Sequence, residues 1–240
     1  IAAHKSWKSG VPHPTEVSLS FSGQVEDACR DLGIEAMMVS VHPREAVLRD
    51  GLFTLEHRPK PCASGWRHHV GEWRYARGLV RSAREFHADA VLVDSGVTHY
   101  FMMELFRHAG AELIVVLHNT LWPEGHPPRR AIDRVVWPLN ARFFREVPVA
   151  VLGVSPTCLR QVRELTGGAT RAALLDVRAQ FRREYFAGIS PTPPWTRRPF
   201  RILFVGRITR EKGVFDILEM ARRVEAVCPG EVRWELCGGG

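Results

Sequence analysis

Apolar residues along this chain recur in two rhythms: short continuous runs suited to buried strands, and three- or four-residue spacings that place one face of a helix against a core. Val17, Phe21, Val25, Ala28 and Leu32 follow the second rhythm, which predicts a helix over residues 15–32 with Thr15 as its N-cap. Gly23 inside it costs about 1 kcal/mol relative to alanine. Alternation over residues 17–21 supports a strand there as the competing reading. Residues 1–4 read as the tail of a buried strand opening into a loop that contains Gly10. Gly33 ends the helix, residues 34–40 read as a strand, and residues 43–65 as loop-rich. Val70, Trp73, Arg77, Val80 and Ala83 mark another helical face. It leads into Ala90-Val91-Leu92-Val93-Asp94, an apolar run of the kind buried in parallel sheets. A helix over 98–108, a strand over 113–117, a helix over 129–145, a strand over 149–154, a helix over 156–165 and a strand over 172–177 complete the series. Strands alternating with helices predict a doubly wound α/β sheet with right-handed crossovers.

From Arg178 the periodicity lapses, and Pro191, Pro193, Pro194 and Pro199 crowd into a few positions, which is linker chemistry. A second series begins at Phe200: a strand, a helix over 214–227, a strand over 232–237, and Gly238-Gly239-Gly240. The expected organisation is a Rossmann-like domain over 1–180, a Pro/Arg-rich linker over 181–199, and the beginning of a second Rossmann-like domain over 200–240.

Composition narrows the class. The 240 residues are 45% hydrophobic and 25% charged, as in soluble globular proteins. No run of 18 apolar residues suggests a membrane span, and no signal-peptide pattern opens the chain, so a cytoplasmic location is expected. Cys29, Cys62, Cys158, Cys228 and Cys237 are odd in number and scattered, without metal-ligand spacing. Reduced thiols and no metal site are therefore expected. The formal net charge of +7 is local: between Arg178 and Lys212 nine basic residues stand against two acidic ones, and the rest of the chain is balanced. The partner this implies is anionic and local, whether nucleotide diphosphate, lipid head group or nucleic acid. Aromatic residues are not interleaved with the basic ones, so nucleic acid is not expected.

Chemistry gathers in Phe200-Arg201-Ile202-Leu203-Phe204-Val205-Gly206-Arg207-Ile208-Thr209-Arg210-Glu211-Lys212-Gly213. A strand reaches a glycine turn and presents Arg207 and Lys212, five residues apart, at the mouth of a helix. Backbone N–H groups and the positive helix end favour an anion there. No G-K-[ST] follows the glycine, so this is not a P-loop. The segment resembles the start of the C-terminal domain of retaining nucleotide-sugar glycosyltransferases of the GT-B fold, group 1 or family-4 type. Val151-Leu152-Gly153-Val154-Ser155-Pro156 and Arg182-Arg183-Glu184-Tyr185-Phe186 extend the resemblance. It implies a GT-B-like α/β fold of two Rossmann-like halves, with Gly206, Arg207 and Lys212 gripping the donor diphosphate.

The resemblance also implies that His118, directly after Leu113-Ile114-Val115-Val116-Leu117, contacts the transferred sugar or the acceptor, with Asn119 assisting. It makes Gly238 and Gly239 the glycine turn close to the nucleotide, and places Gly10 in an acceptor-side loop where the family has paired glycines. No protein nucleophile, metal or cofactor is implied, since the leaving phosphate serves as base. The donor is a nucleotide sugar and the acceptor a glycan, lipid or small molecule, with peripheral membrane contact compatible. The family's E-x7-E glutamate pair lies further along than this sequence extends, so the polypeptide alone is expected to be inactive or feeble. Asp94-Ser95-Gly96, at another strand end, is explained by turn chemistry before function. His68-His69 reads as a solvated helix start, and the dispersed tryptophans as core packing. The rival reading is a nonenzymatic binder of an anionic membrane surface or nucleic acid through the Arg-rich segment, whose binding falls steeply with salt.

Overall fold

Helix α1 (Phe21–Leu32) opens the described part of the chain, which comprises residues 21–60, 64–94, 99–125, 128, 132–178, 187–188 and 199–239 of the computed structural model. The chain divides into two compact units, Ile1–Tyr185 and Phe186–Gly240. In α1, Phe21, Val25 and Cys29 are half-buried one helical turn apart, while Ala28 and Leu32 are exposed. The buried face is therefore rotated from the predicted one. The earlier part of that predicted helix, the strand over 1–4 and the loop with Gly10 lie outside the described residues.

Residues 43–65, expected to be loop-rich, instead carry a β-hairpin. Strands β1 (Ala36–Val41), β2 (Ala46–Asp50) and β3 (Phe53–Arg58) form a sheet ordered β1-β3-β2, with β1 parallel and β2 antiparallel to β3. The physical reason is alternation: Phe53, Leu55 and His57 are buried on one face, and Thr54, Glu56 and Arg58 are half-buried on the other. Asp50 pairs with Phe53 across a two-residue turn, and Gly51 at φ 56° supplies the positive angle that the first position of such a turn requires. The polar half of β3 hides the strand in sequence, but Arg58 Nε donates to Glu56 Oε1 at 2.8 Å and the two charges satisfy each other.

Helix α2 (Trp66–Glu85) buries Ala76, Val80 and Ala83, together with Glu72, whose carboxylate lies 2.7 Å from Lys60 Nζ. After strand β4 (Ala90–Asp94) the predicted helix over 98–108 is a 3-10 helix, Tyr100–Ala109. Tyr100, Met103 and Phe106 are its buried residues. Their strict three-residue spacing suits a helix of three residues per turn, in which positions i and i+3 eclipse. Strand β5 (Glu112–Leu117), helix α3 (Asp133–Glu146), strand β6 (Ala150–Gly153), helix α4 (Pro156–Thr166) and strand β7 (Ala173–Asp176) follow. The sheet order is β4-β5-β6-β7, with every neighbouring pair parallel.

Strand β5 lies inside the sheet, and Leu113, Val115, Val116 and Leu117 are each at most 2% exposed. Phe143 and Phe144 of α3, Val151 of β6 and Val162 of α4 are fully buried in the same unit. Burying each such side chain contributes roughly 1.5–3 kcal/mol. Helix α4 starts where Ser155 accepts a hydrogen bond from the Cys158 N–H and Pro156 occupies the first turn, both strong start signals.

The second unit is a strand-helix-strand element. Strand β8 (Phe200–Val205) runs parallel to β9 (Val232–Cys237), from Phe200 opposite Val232 to Val205 opposite Cys237. Helix α5 (Val214–Val227) connects them and matches the predicted bounds. Among its described residues Val214 is buried, whereas Phe215, Leu218 and Val227 are exposed.

Candidate functional site

In the second unit, the turn after β8 is built by backbone packed on backbone. Gly206 N–H donates to the Cys237 carbonyl at 3.0 Å, and Ile208 N–H to the Gly239 carbonyl at 3.1 Å. These bonds hold the turns after β8 and β9 together. A Cβ on Gly238 would lie 1.8 Å from the Gly206 carbonyl oxygen, so only glycine fits. The predicted glycines 206, 238 and 239 are thus adjacent, and a structural requirement for Gly238 is evident before any ligand is considered.

From this joint the chain presents Arg207 and then the 3-10 turn Arg210–Lys212, which closes on Gly213 at φ 73° and passes into α5. Arg207 and Lys212 are exposed and form no ion pair among the described residues. Other cations of the basic segment are engaged: Arg201 Nη2 reaches Glu235 Oε1 at 2.7 Å, Arg178 Nε lies 3.6 Å from Asp176 Oδ2, and the Arg210 guanidinium sits 5.6 Å over Phe215. The Arg201 hydrogen bond holds the Glu235 carboxyl below the usual carboxylate range. Thr209 Oγ1, between the two unpaired cations, is buried and has no hydrogen-bond partner among the described residues. A polar atom in that state costs free energy until an oxygen or nitrogen reaches it. Two uncompensated cations and the positive end of a 14-residue helix favour a multiply charged anion.

In the first unit, His118 directly follows β5, and Asp94 ends the adjacent parallel strand β4. Their side chains meet, with His118 Nε2 2.8 Å from Asp94 Oδ1. The direction is wrong for a hydrogen bond from Nε2, which has no such partner among the described residues. The contact is therefore a close approach without a directed hydrogen bond from Nε2. Phe21 packs edge-on against the imidazole, 5.0 Å between ring centres. Asn119 is exposed beside it.

The loop after His118 is pinned by a residue that sequence reading missed. Gln161 of α4, 1% exposed, donates from Nε2 to the Trp122 carbonyl at 2.8 Å and accepts at Oε1 from the Trp122 N–H at 3.2 Å. Its only sequence signal is a polar residue on the apolar face of α4. Asp94, explained in sequence as turn chemistry, also stands beside His118. His68 and His69 are not an isolated solvated pair: His69 Nδ1 lies 2.6 Å from His99 Nε2, with the rings stacked. Arg207, Lys212, Gly206, Gly238 and Gly239 belong to one unit, His118 and Asn119 to the other, and Gly10, Ser95 and Gly96 lie outside the described residues. Among the described residues no group of three or more His, Cys, Asp or Glu could hold a metal ion, and no helix is long and apolar enough to cross a membrane.

No protein-family model matches the sequence, and no curated protein matches it. Solved structures do match. An alpha,alpha-trehalose-phosphate synthase (UDP-forming) from Burkholderia vietnamiensis superposes with a TM-score of 0.61 at 14% identity, covering 92% of this chain and 63% of that one. Anabaena Alr3699/HepE in complex with UDP and glucose gives 0.51 at 17% identity, covering 78% and 48%, and its complex with UDP gives 0.52 at 15%, covering 77% and 47%. The chain thus spans about three fifths of the first structure's length and about half of the second's. At these identities the likeness establishes architecture: the fold is α/β and GT-B-like, with a Rossmann-like parallel sheet followed by a second unit in which two parallel strands are joined by a helix.

Proposed function

We propose that this chain belongs to a glycosyltransferase that takes a sugar from a UDP-sugar to a hydroxyl-bearing acceptor with retention at the anomeric carbon, in the manner of the family-4 type. The observation that carries the reading is the pair of unpaired cations, Arg207 and Lys212, flanking the glycine-packed turn at the start of α5. Two structural neighbours are complexes with UDP, and the third is described as UDP-forming, which supports uracil as the donor's base. In the proposed reaction the bond between the anomeric carbon and the diphosphate oxygen breaks, and a bond to the acceptor oxygen forms on the same face. The acceptor proton passes to the leaving diphosphate. Arg207 and Lys212 stabilise the negative charge that grows on that group, a role that needs no metal ion when fixed cations supply it. His118, oriented beside Asp94, hydrogen-bonds the transferred sugar or the acceptor. The acceptor is a glycan, lipid or small molecule, and the enzyme works in the cytoplasm.

Titration calorimetry with UDP and UDP-glucose tests the donor site without requiring turnover. Charge-assisted hydrogen bonds contribute roughly 1.5–3 kcal/mol each, so R207E and K212E should each weaken UDP about tenfold or more. Equal affinity in both variants and the unaltered chain eliminates the site. The rival, a nonenzymatic binder of anionic surfaces, predicts instead salt-sensitive binding of anionic vesicles or nucleic acid with no preference for UDP.

A further inference from the structure

Away from both of these regions, the first unit carries a groove of about 510 Å³ between the end of β3 and the first half of α2. Arg58, Arg67 and Arg74 line it, together with Trp66 and Tyr75 and the glycines Gly71 and Gly78. Arg58 is held before any ligand arrives: its Nε donates to Glu56 Oε1 at 2.8 Å and its Nη2 to Ser82 Oγ at 2.7 Å. The remaining Nη1 lies at Gly78, 3.3 Å from where a Cβ would stand, so the absent side chain leaves that nitrogen room along the groove. Arg67 and Arg74 stand two helical turns apart, are exposed, and form no ion pair among the described residues. Nearby carboxylates are already committed, Glu56 to Arg58 and Glu72 to Lys60. Trp66 is 71% exposed and carries the Arg67 guanidinium 5.8 Å over its ring.

We propose that this groove is a phosphate-ester site, separate from the turn at Arg207 and Lys212. Several arginines along one groove suit a phosphoryl group, whose charge of up to two and three terminal oxygens can engage more than one guanidinium, better than a singly charged carboxylate. The flanking rings give an apolar or sugar portion a surface to lie on. The glycines leave the floor open for close approach.

The test uses the R207E/K212E variant as background, so that failure of the donor site and failure of this one read separately. The probes are glycerol phosphate, and vesicles of phosphatidylcholine with and without phosphatidic acid, at constant ionic strength. Binding is followed by tryptophan fluorescence, with Trp66→Phe assigning the signal, and by co-sedimentation. Adding R67A/R74A, both exposed positions, should lower affinity at least tenfold while circular dichroism is unchanged. R77A/R81A removes equal charge from the same helix outside the groove and should leave binding intact. Binding of the soluble ester identifies a free phosphate source, and binding of the acidic vesicles alone a lipid head group; either supports the site. The proposal is overturned if neither probe binds, if R67A/R74A binds as well as its parent, or if R77A/R81A loses as much.

Discussion

Replacing Gly238 by alanine should open the joint on which the candidate donor site rests. The added Cβ would sit 1.8 Å from the Gly206 carbonyl oxygen and 2.8 Å from its carbon. A carbon and a carbonyl oxygen tolerate about 3.3 Å, so the two turns must part by about 1.5 Å. The bonds from Gly206 N–H to Cys237 and from Ile208 N–H to Gly239, at 3.0 and 3.1 Å, would then exceed hydrogen-bonding range. Two such bonds contribute about 1 kcal/mol each, and the overpacking itself costs about 1–3 kcal/mol. A local loss of roughly 3–5 kcal/mol follows, which accelerates amide exchange at Gly206 and Ile208 by at least a hundredfold. Gly239→Ala is the matched control, because its Cβ would meet nothing within 4 Å. UDP affinity should fall with G238A, since Arg207 rides on the displaced turn, and hold with G239A. Unchanged exchange at both amides in G238A would refute the packing argument.

Three further perturbations probe the first unit. Q161A leaves the Trp122 N–H and carbonyl buried without their partner, so urea unfolding should show a loss of about 2–4 kcal/mol; a loss below half a kcal/mol contradicts the role assigned to Gln161. G153A would place a Cβ 2.8 Å from Leu159 Cγ. A cost of about 1–3 kcal/mol is expected, and Leu159→Ala should be less harmful in that background than alone; strict additivity of the two changes argues against the clash. Burial pushes the Tyr100 phenol up from 10 to about 12. Its neutral form therefore contributes stability fully present below pH 10 and lost as pH rises towards 12, about 3 kcal/mol in all. Y100F keeps the ring and removes this dependence, so stability measured between pH 9 and 12 should fall less in Y100F than in the unaltered chain. Parallel decline in the two would show that Tyr100 does not govern alkaline unfolding.

Most of the fold was legible because burial and period coincide. Residues 113–117 are apolar without interruption and lie inside the sheet, and the 214–227 helix carries its rhythm in Val214, Ile217, Ala221 and Val224, all buried or half-buried, although Leu218, read onto the same face, is exposed. The β2–β3 hairpin was hidden because only one face of β3 is apolar, although Asp50-Gly51 between alternating residues was the available sign. The 3-10 geometry of Tyr100–Ala109 was written in the spacing of Tyr100, Met103 and Phe106, which a helical reading absorbs without distinguishing the pitch. At the candidate site, strand, glycine and cation positions follow from local sequence. The close approach of Gly238 to Gly206 and of Asp94 to His118 spans sequence separations that no local pattern encodes.

The central claim is that Arg207 and Lys212 together grip the diphosphate of a nucleotide sugar. A crystal structure of the chain with UDP tests it most directly. The account predicts diphosphate oxygens within about 3 Å of both the Arg207 guanidinium and the Lys212 ammonium, at the amino end of α5. A well-ordered UDP bound elsewhere, with both side chains turned to solvent, would contradict it.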